Sequence, residues 1–441
     1  MDLGRALLDA GLDERPEHFS RFAEAIDPAW TAQALQAHGA ATVRRRKLPA
    51  EQALWLVIGM GLFRDHSIQQ VAHHLDLVLP SSQPGTGTPS LTSAAVVQAR
   101  NRLGAGPLEQ LFQQVATAWA VPSAARHAWR GLSVFGIDGS SLRVPDTPEN
   151  AAAFGRPATG RAGAGYPQVR LAALMALRSH LLAGLAVGPW TTGEVTLAAG
   201  LWDLIPDQSL TILDKGFLSY GHLSQLQAGG RQRHWLIPAK SNLQFQVVKR
   251  LGPKDHLVEI THRAPARRQF PDLPETMTFR RIQYHRQGFR PRTILTSLLD
   301  PVAFPAAEIA ALYHERWELE LGFDELKTHT LEREETLRSK TPERILQEVW
   351  GLALAYNLVR WHMEQIAGHV GVVPSRISYR HTLLLLRGFW LSAWFASPGT
   401  LPRHLATLAT QTQLLVLPPR RTRRAYPRKV KIKMSGYPRN A

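Results

Sequence analysis

The chain has 441 residues, with 52 Lys and Arg against 35 Asp and Glu for a net charge of +17, 44% hydrophobic residues, 12 Trp and no cysteine. This composition excludes wholesale disorder, and the lack of cysteine excludes disulfides, zinc–thiolate sites and thiol nucleophiles together. The longest apolar stretch, 53–63, is too short to span a bilayer, and the acidic start MDLGRALLDAGLDERPEHF is unlike a secretory signal, so a soluble cytoplasmic protein is expected.

Residues 1–125 read as helical. Pro49–Phe63 is an apolar helix, broken by Arg64-Asp65-His66. Ser67 with Gln70 forms a capping box for a second helix through Leu77. Helix, tight turn, helix is the outline of a helix-turn-helix. The uncharged stretch PSSQPGTGTPS (80–90) reads as a linker, and a third helix over Thr92–Leu103 carries Arg100 and Arg102 on its polar side. Arg44, Arg45, Arg46 and Lys47 precede the unit, and they and the two helix arginines suit DNA as well as they suit an ordinary basic surface.

The next unit is taken from 126, and strand grammar starts at Leu132. SVFGID (133–138) is a short apolar run ending in an acid, and VRLAALMAL (169–177) and HLLAGLAVG (180–188) pair as a hairpin through Arg178–Ser179. A helical spacing over 194–205 follows, then the buried-type strand SLTILD (209–214), a helix at 219–228 and the strand HWLIPA (234–239). This order resembles a ribonuclease H-like α/β core, a mixed sheet flanked by helices. Residues 240–304, with candidate strands at 256–261, 279–286 and 292–300, read as a β-rich insertion. Helical periodicity resumes at 306–328 and continues over 342–369 and 377–395, completing the core over 305–400. A last helix at 402–415 leads into the tail.

The last 22 residues hold nine Lys and Arg and no acid, which leaves 43 basic against 35 acidic residues in the rest of the chain. Arg420, Arg421, Arg423, Arg424, Arg428, Lys429 and Lys431 form an electrostatic footprint for a polyanion, most often nucleic acid. The alternative is a solvated tail that serves solubility.

Asp138 in FGIDGSS and Asp214 in TILDKGF each end a buried strand. A carboxylate placed there costs desolvation unless a partner compensates, and a shared divalent metal would; strand-terminal Asp is also common in turns. In LYHERWELELGFDELKTHTL, Tyr313, Arg316, Glu320 and Lys327 are spaced to line one helical face. Phenol, guanidinium, carboxylate and ammonium in one stripe suit a phosphodiester better than a core. Glu315, Glu318, Asp324 and Glu325 crowd the same segment, as on a solvated salt-bridged helix, and Asp324 rivals Glu320 as the third carboxylate.

The spacing Tyr-x2-Arg-x3-Glu-x6-Lys resembles the signature of the bacterial insertion sequence 4 family of DDE transposases. IDGSSLRVPDTPENAAAFGRP (137–157) and ILDKGFLS (212–219) are similar to that family's first and second Asp regions. Residues 44–77 resemble its N-terminal domain and 423–438 its C-terminus. Lys215 departs from the Arg that many members carry there. The resemblance implies Asp138, Asp214 and Glu320 as the catalytic, metal-binding triad and so selects Glu320 over Asp324. It also implies two Mg²⁺ per site (Mn²⁺ substituting), Asp138 bridging both and Asp214 and Glu320 each holding one. The expected reaction is cut-and-paste transposition through hairpin ends by a homodimer, with transposon terminal inverted repeats and target DNA as double-stranded substrates. Tyr313, Arg316, Lys327, Lys215 and Lys240 are expected on DNA. Hairpinning displaces a base, which Trp317, Trp235, Tyr284 or Phe289 would hold; each is equally readable as a core or sheet aromatic. A ribonuclease H-like nuclease that does not join ends, and a DNA-binding repressor, are the competing readings.

Overall fold

A computed structural model describes residues 25–41, 48–75, 91–157, 165–240, 243–285, 291–332, 336–392 and 412–418. Arg44–Lys47, the 80–90 linker, Phe289, most of the expected 402–415 helix and every tail residue from 419 on lie outside the described residues.

The described part of 25–126 holds five helices: α1 (Pro28–Ala37), α2 (Ala50–Leu62), α3 (Ile68–His74), α4 (Ser93–Leu103) and α5 (Gly106–Arg126). α2 is apolar on nearly every side, and everything from Ala53 to Leu62 is buried, as expected of a helix without a polar face. Ser67 Oγ accepts from the Gln70 backbone N–H at 3.3 Å while Gln70 Oε1 accepts from the Ser67 N–H at 2.8 Å, the reciprocal box that starts α3. That helix stops at His74, before Leu77.

Nine strands then form one sheet: β1 (Ser133–Arg143), β2 (Gln168–Ala176), β3 (Leu182–Pro189), β4 (Ser209–Leu213), β5 (Arg233–Pro238), β6 (Gln246–Gly252), β7 (Asp255–Thr261), β8 (Thr276–Tyr284) and β9 (Arg292–Thr296). Their order is β3-β2-β1-β4-β5-β9-β8-β7-β6. β1, β2 and β3 run antiparallel, while β4 and β5 run parallel to β1. All five residues of β4, Ser209 and Thr211 among them, are buried, as expected of a central strand covered on both faces. β9 pairs antiparallel with β5, so the segment read as an insertion extends the core sheet through its edge rather than standing apart from it. Short helices absent from the sequence reading, α6 (Pro148–Phe154) and α9 (Ala264–Gln269), fill connections, while α7 (Glu194–Ala199) and α8 (Tyr220–Ala228) lie where helices were read. α6 and α9 have seven and six residues, too few for a periodic signal.

The expected single helix over 306–328 is instead four pieces in series. α10 (Ala306–Tyr313) leads through a 3-10 turn at 314–316 to α11 (Trp317–Asp324), and a π-turn occupies Glu325–Thr330. The Leu331 N–H donates to the Leu326 carbonyl at 3.0 Å, five residues back. α12 (Pro342–Val370) crosses α2, where Arg64 meets Glu348 at 2.7 Å in a buried pair, and α13 (Tyr379–Ser392) packs on α12. Residues from α1 to α13 contribute to a single continuous hydrophobic core. No helix among the described residues is long and apolar enough to cross a membrane.

Candidate active site

β1 and β4 are parallel neighbours with Ile137 opposite Leu213. The next residue along each strand is therefore an aspartate, Asp138 and Asp214, side by side where β4 ends and a 3-10 turn at Lys215–Phe217 begins. Side chains alternate along a strand, so Asp138 shares a face with Gly136. α11 lies on that face without a gap. A Cβ at Gly136 would stand 2.8 Å from Leu319 Cδ1, and one at Gly322 would stand 2.4 Å from Met175 Cε. The absence of side chains at these two glycines lets the helix settle directly on β1 and β2, and Glu320 follows Leu319 in it.

Arg316 joins the acids. Its Nη2 donates to Glu320 Oε1 at 2.6 Å, and its Nη1 stands 3.9 Å from Asp214 Oδ1. Among the described residues no three Asp, Glu or His side chains are close enough together to hold a metal ion; the guanidinium occupies the place between two of the acids. Burial pushes the Asp138 carboxyl up to about 6. The Gly139 N–H, donating to Asp138 Oδ1 at 2.8 Å, and Arg316 oppose that rise, while the charges of Asp214 and Glu194 add to it. Asp138, Asp214 and Glu320 offer the carboxylate oxygen donors that Mg²⁺ or Mn²⁺ prefers, with one guanidinium set against the three. The residues present fit a divalent cation.

The other expected site residues divide. Tyr313 is buried beside Arg316, and burial raises its hydroxyl to about 12. Tyr284 is half-buried, edge-on to His314 with ring centres 5.7 Å apart. Lys327 lies in the π-turn, Lys215 is exposed next to Asp214, and Lys240 Nζ donates to the Leu218 carbonyl at 3.2 Å. Trp317 is 55% exposed, with the Arg316 guanidinium 5.8 Å from its ring centre. Asp324 accepts from Thr328 Oγ1 at 2.6 Å within its own segment.

Two expectations are corrected. Arg100 does not face DNA: it is 3% exposed, with Nε on Gln347 Oε1 and Nη2 on Ser339 Oγ and the Arg344 carbonyl, each at 3.0 Å. Arg100 lies on the side of α4 that turns toward α12, which helical spacing alone does not reveal. Trp235 holds no base either. It is wholly buried in β5, its indole N–H donating to Gln227 Oε1 at 3.2 Å. Arg102 remains exposed on α4.

One acid escaped the sequence reading. Glu194, exposed at the start of α7, lies over the opposite face of β1, where a Cβ on Gly139 would be 2.7 Å from its Cδ. In the sequence it looks like any acid in a helix's first turn, where the dipole favours one.

Comparison with known proteins shows the family of the chain. Residues 129–358 match the family model described as transposase DDE domain, and residues 16–113 match that described as insertion element 4 transposase N-terminal. The first span contains Asp138, Asp214 and Glu320, and it makes the protein an enzyme of the DDE transposase class. The chain is 38% identical over 441 residues, 99% of its length and 98% of the relative's, to the transposase InsG for insertion sequence element IS4 of Escherichia coli strain K12. Similarity to the putative transposase InsZ of the same strain is 37% over 236 residues, 53% of this chain and 76% of that one. The chain belongs to the IS4 family of transposases. A piggyBac transposase synaptic complex with hairpin DNA resembles it at a TM-score of 0.41 and 12% identity, over 89% of this chain and 82% of that one; a likeness of that size decides neither fold detail nor mechanism.

Proposed function

We propose that this transposase excises and inserts its element by cut-and-paste through hairpin ends, using Asp138, Asp214 and Glu320 on Mg²⁺ in a ribonuclease H-like core. The reading divides the chain into a DNA-reading helical part (1–125), the core (126–239 and 305–400) with the β-rich segment between, and the basic end. The observation that carries it is the register of β1 on β4, which sets Asp138 beside Asp214, with Glu320 tied to them through Arg316. When bound, the divalent cations would activate the attacking oxygen and stabilise the leaving one. The three carboxylates would hold them. Arg316 meanwhile exchanges Glu320 for a phosphate oxygen, a partner its fork fits equally well.

Water first attacks the phosphorus at the element's end and expels a 3′-oxygen. That 3′-hydroxyl then attacks the phosphorus of the opposite strand, expelling the flanking DNA's 3′-oxygen and closing a hairpin. Water attacks the hairpin phosphorus and expels the element's 3′-oxygen again, and the freed 3′-hydroxyl attacks a target phosphorus and expels the target's 3′-oxygen. Handling two inverted repeats together favours a homodimer, acting on chromosomal DNA in the cytoplasm. Trp317, exposed beside Arg316, is the aromatic best placed to hold a displaced base.

Hairpin closure bends a strand sharply and crowds two phosphates, whereas the first nick needs no such distortion. Arg316→Ala is therefore expected to accumulate nicked ends and form few hairpins. The measurement is a denaturing gel of end-labelled inverted-repeat DNA with Mg²⁺. Release of both strands by the wild type with no hairpin at any time would overturn the hairpin route and leave the triad standing. Joined products from the same reaction distinguish a transposase from a nuclease that only cuts.

The tail makes its own prediction. Removing residues 420–441 should weaken binding to all duplexes alike and flatten its salt dependence. The slope of log K against log salt should fall by about 0.9 for each DNA phosphate that the tail had neutralised. An unchanged slope in a salt titration would mean the tail is only solvated.

A further inference from the structure

The segment carrying Arg316 and Glu320 is also gripped from its other side, by groups that the reaction as proposed does not use. The turn between β2 and β3 supplies two of them. Arg178 binds Glu315 with both arms of its guanidinium, Nε at 2.9 Å and Nη2 at 2.8 Å, and His180 Nε2 lies 2.8 Å from Glu318 Oε2. α12 supplies two more. Arg360 donates to Glu325 and, at 2.5 Å, to His180 Nδ1, while the Tyr356 hydroxyl donates to Glu325 Oε2 at 3.1 Å. Glu325 Oε2 is 3.3 Å from the same Nδ1. Because Arg360 can only donate, Nδ1 must accept, which leaves the ring proton on Nε2 for Glu318.

The spacing of these bonds matters. Glu315 immediately precedes Arg316, Glu318 is two residues before Glu320, and Glu325 is two before Lys327 and opens the π-turn. Three of the four acids that made this segment look like a solvated helix, Glu315, Glu318 and Glu325, thus serve as its attachment points. His180 has φ +61°, a left-handed backbone that a non-glycine residue keeps only where its surroundings hold it. His180 and Arg360 are almost wholly buried. Burial would raise the Glu325 carboxyl, but the Arg360 guanidinium outweighs it and holds the group well below the usual carboxylate range. Buried ion clusters add little stability over apolar groups of equal volume, yet they tolerate only one register. The turn also belongs to the sheet that bears Asp138, since β2 pairs with β1 through Ala173 opposite Asp138.

We propose that Arg178, His180 and Arg360 are positioning residues of the active centre: through Glu315, Glu318 and Glu325 they fix the rotation of the segment that carries Arg316, Glu320 and Lys327 over Asp138 and Asp214. The inference rests on Glu320 being the third acid.

The test uses the full chain and duplex inverted-repeat DNA. The Arg178–Glu315 pair reaches solvent, with side chains 32% and 29% exposed, so Arg178→Ala and Glu315→Ala should fold whether or not the buried variants do. Both should bind uncleaved ends within about twofold of wild type and nick more slowly, and the double variant should be no slower than either single one. His180→Ala should slow nicking by about 10²-fold, the scale of an ångström-sized misplacement. His180→Gln, which keeps a donor and an acceptor, should recover most of that rate. Amide hydrogen exchange measured without DNA or metal should accelerate over 317–330 in His180→Ala. That readout tests the clamp even if Glu320→Gln cleaves normally, a result that would remove only the third-acid reading. Wild-type nicking and exchange in both Arg178→Ala and His180→Ala would overturn the proposal. So would parallel losses of nicking, end binding and thermal stability that His180→Gln does not rescue.

Discussion

Asp138→Asn, Asp214→Asn and Glu320→Gln are each expected to abolish end cleavage, a loss of about 10³-fold or more, while binding of uncleaved ends stays close to wild type. Each substitution keeps the side-chain volume and removes one negative charge from the site proposed to hold divalent cations. Losing several kcal/mol of transition-state charge stabilisation has that effect on rate. Asp324→Asn is the control. Its carboxylate is bonded to Thr328 within its own segment, so it should cleave at a substantial rate. Single-turnover nicking of end-labelled DNA, run beside a binding titration, checks all four variants. An inactive Asp324→Asn beside an active Glu320→Gln would place the third acid one turn further along the helix.

The second large effect concerns stability. Trp235→Ala should cost about 3–5 kcal/mol, the range for emptying a buried aromatic site, out of a total that for most domains is only about 5–15 kcal/mol. Trp235 is wholly buried in β5, which β4 and β9 flank, and its indole N–H would leave Gln227 without that bond. Trp317→Ala, at an exposed ring, should change stability by no more than about 0.5 kcal/mol and act instead on hairpin yield. Urea unfolding of the two variants decides the matter. If the two midpoints moved equally, the contrast between core and site aromatic would fail.

The same pair of tryptophans shows where sequence reading stops. Both are aromatic residues close in sequence to expected site elements, and neither spacing nor composition says which is covered. In β5 the ring meets Gln227 of α8 and Phe279 of β8, whose ring centre is 5.9 Å away and which lies in a strand far along the chain. Arg100 is similar, since its partners Gln347 and Ser339 are more than 200 positions away.

What the sequence by itself determined was local or compositional. Ser67 and Gln70 define a helix start within four residues, SLTIL is uncharged and mostly apolar or β-branched and so belongs inside a sheet, and an acid following such a strand stands at its carboxyl edge. The family motifs carried the choice of acids. Only the tertiary structure decided how the crowded segment from Tyr313 to Thr330 is used. A regular helix would keep one phase throughout, but a 3-10 turn at 314–316 tightens it and a π-turn at 325–330 widens it. Its acids then part company: Glu320 goes to Arg316, while Glu315, Glu318 and Glu325 go to Arg178, His180 and Arg360. Glu194 came into the site in the same way, because α7 packs over Gly139. Periodicity tells which residues share a face. What that face meets depends on strand register and helix packing between segments far apart in the chain, and those contacts set both the charge around Asp138 and the partner of every acid near it.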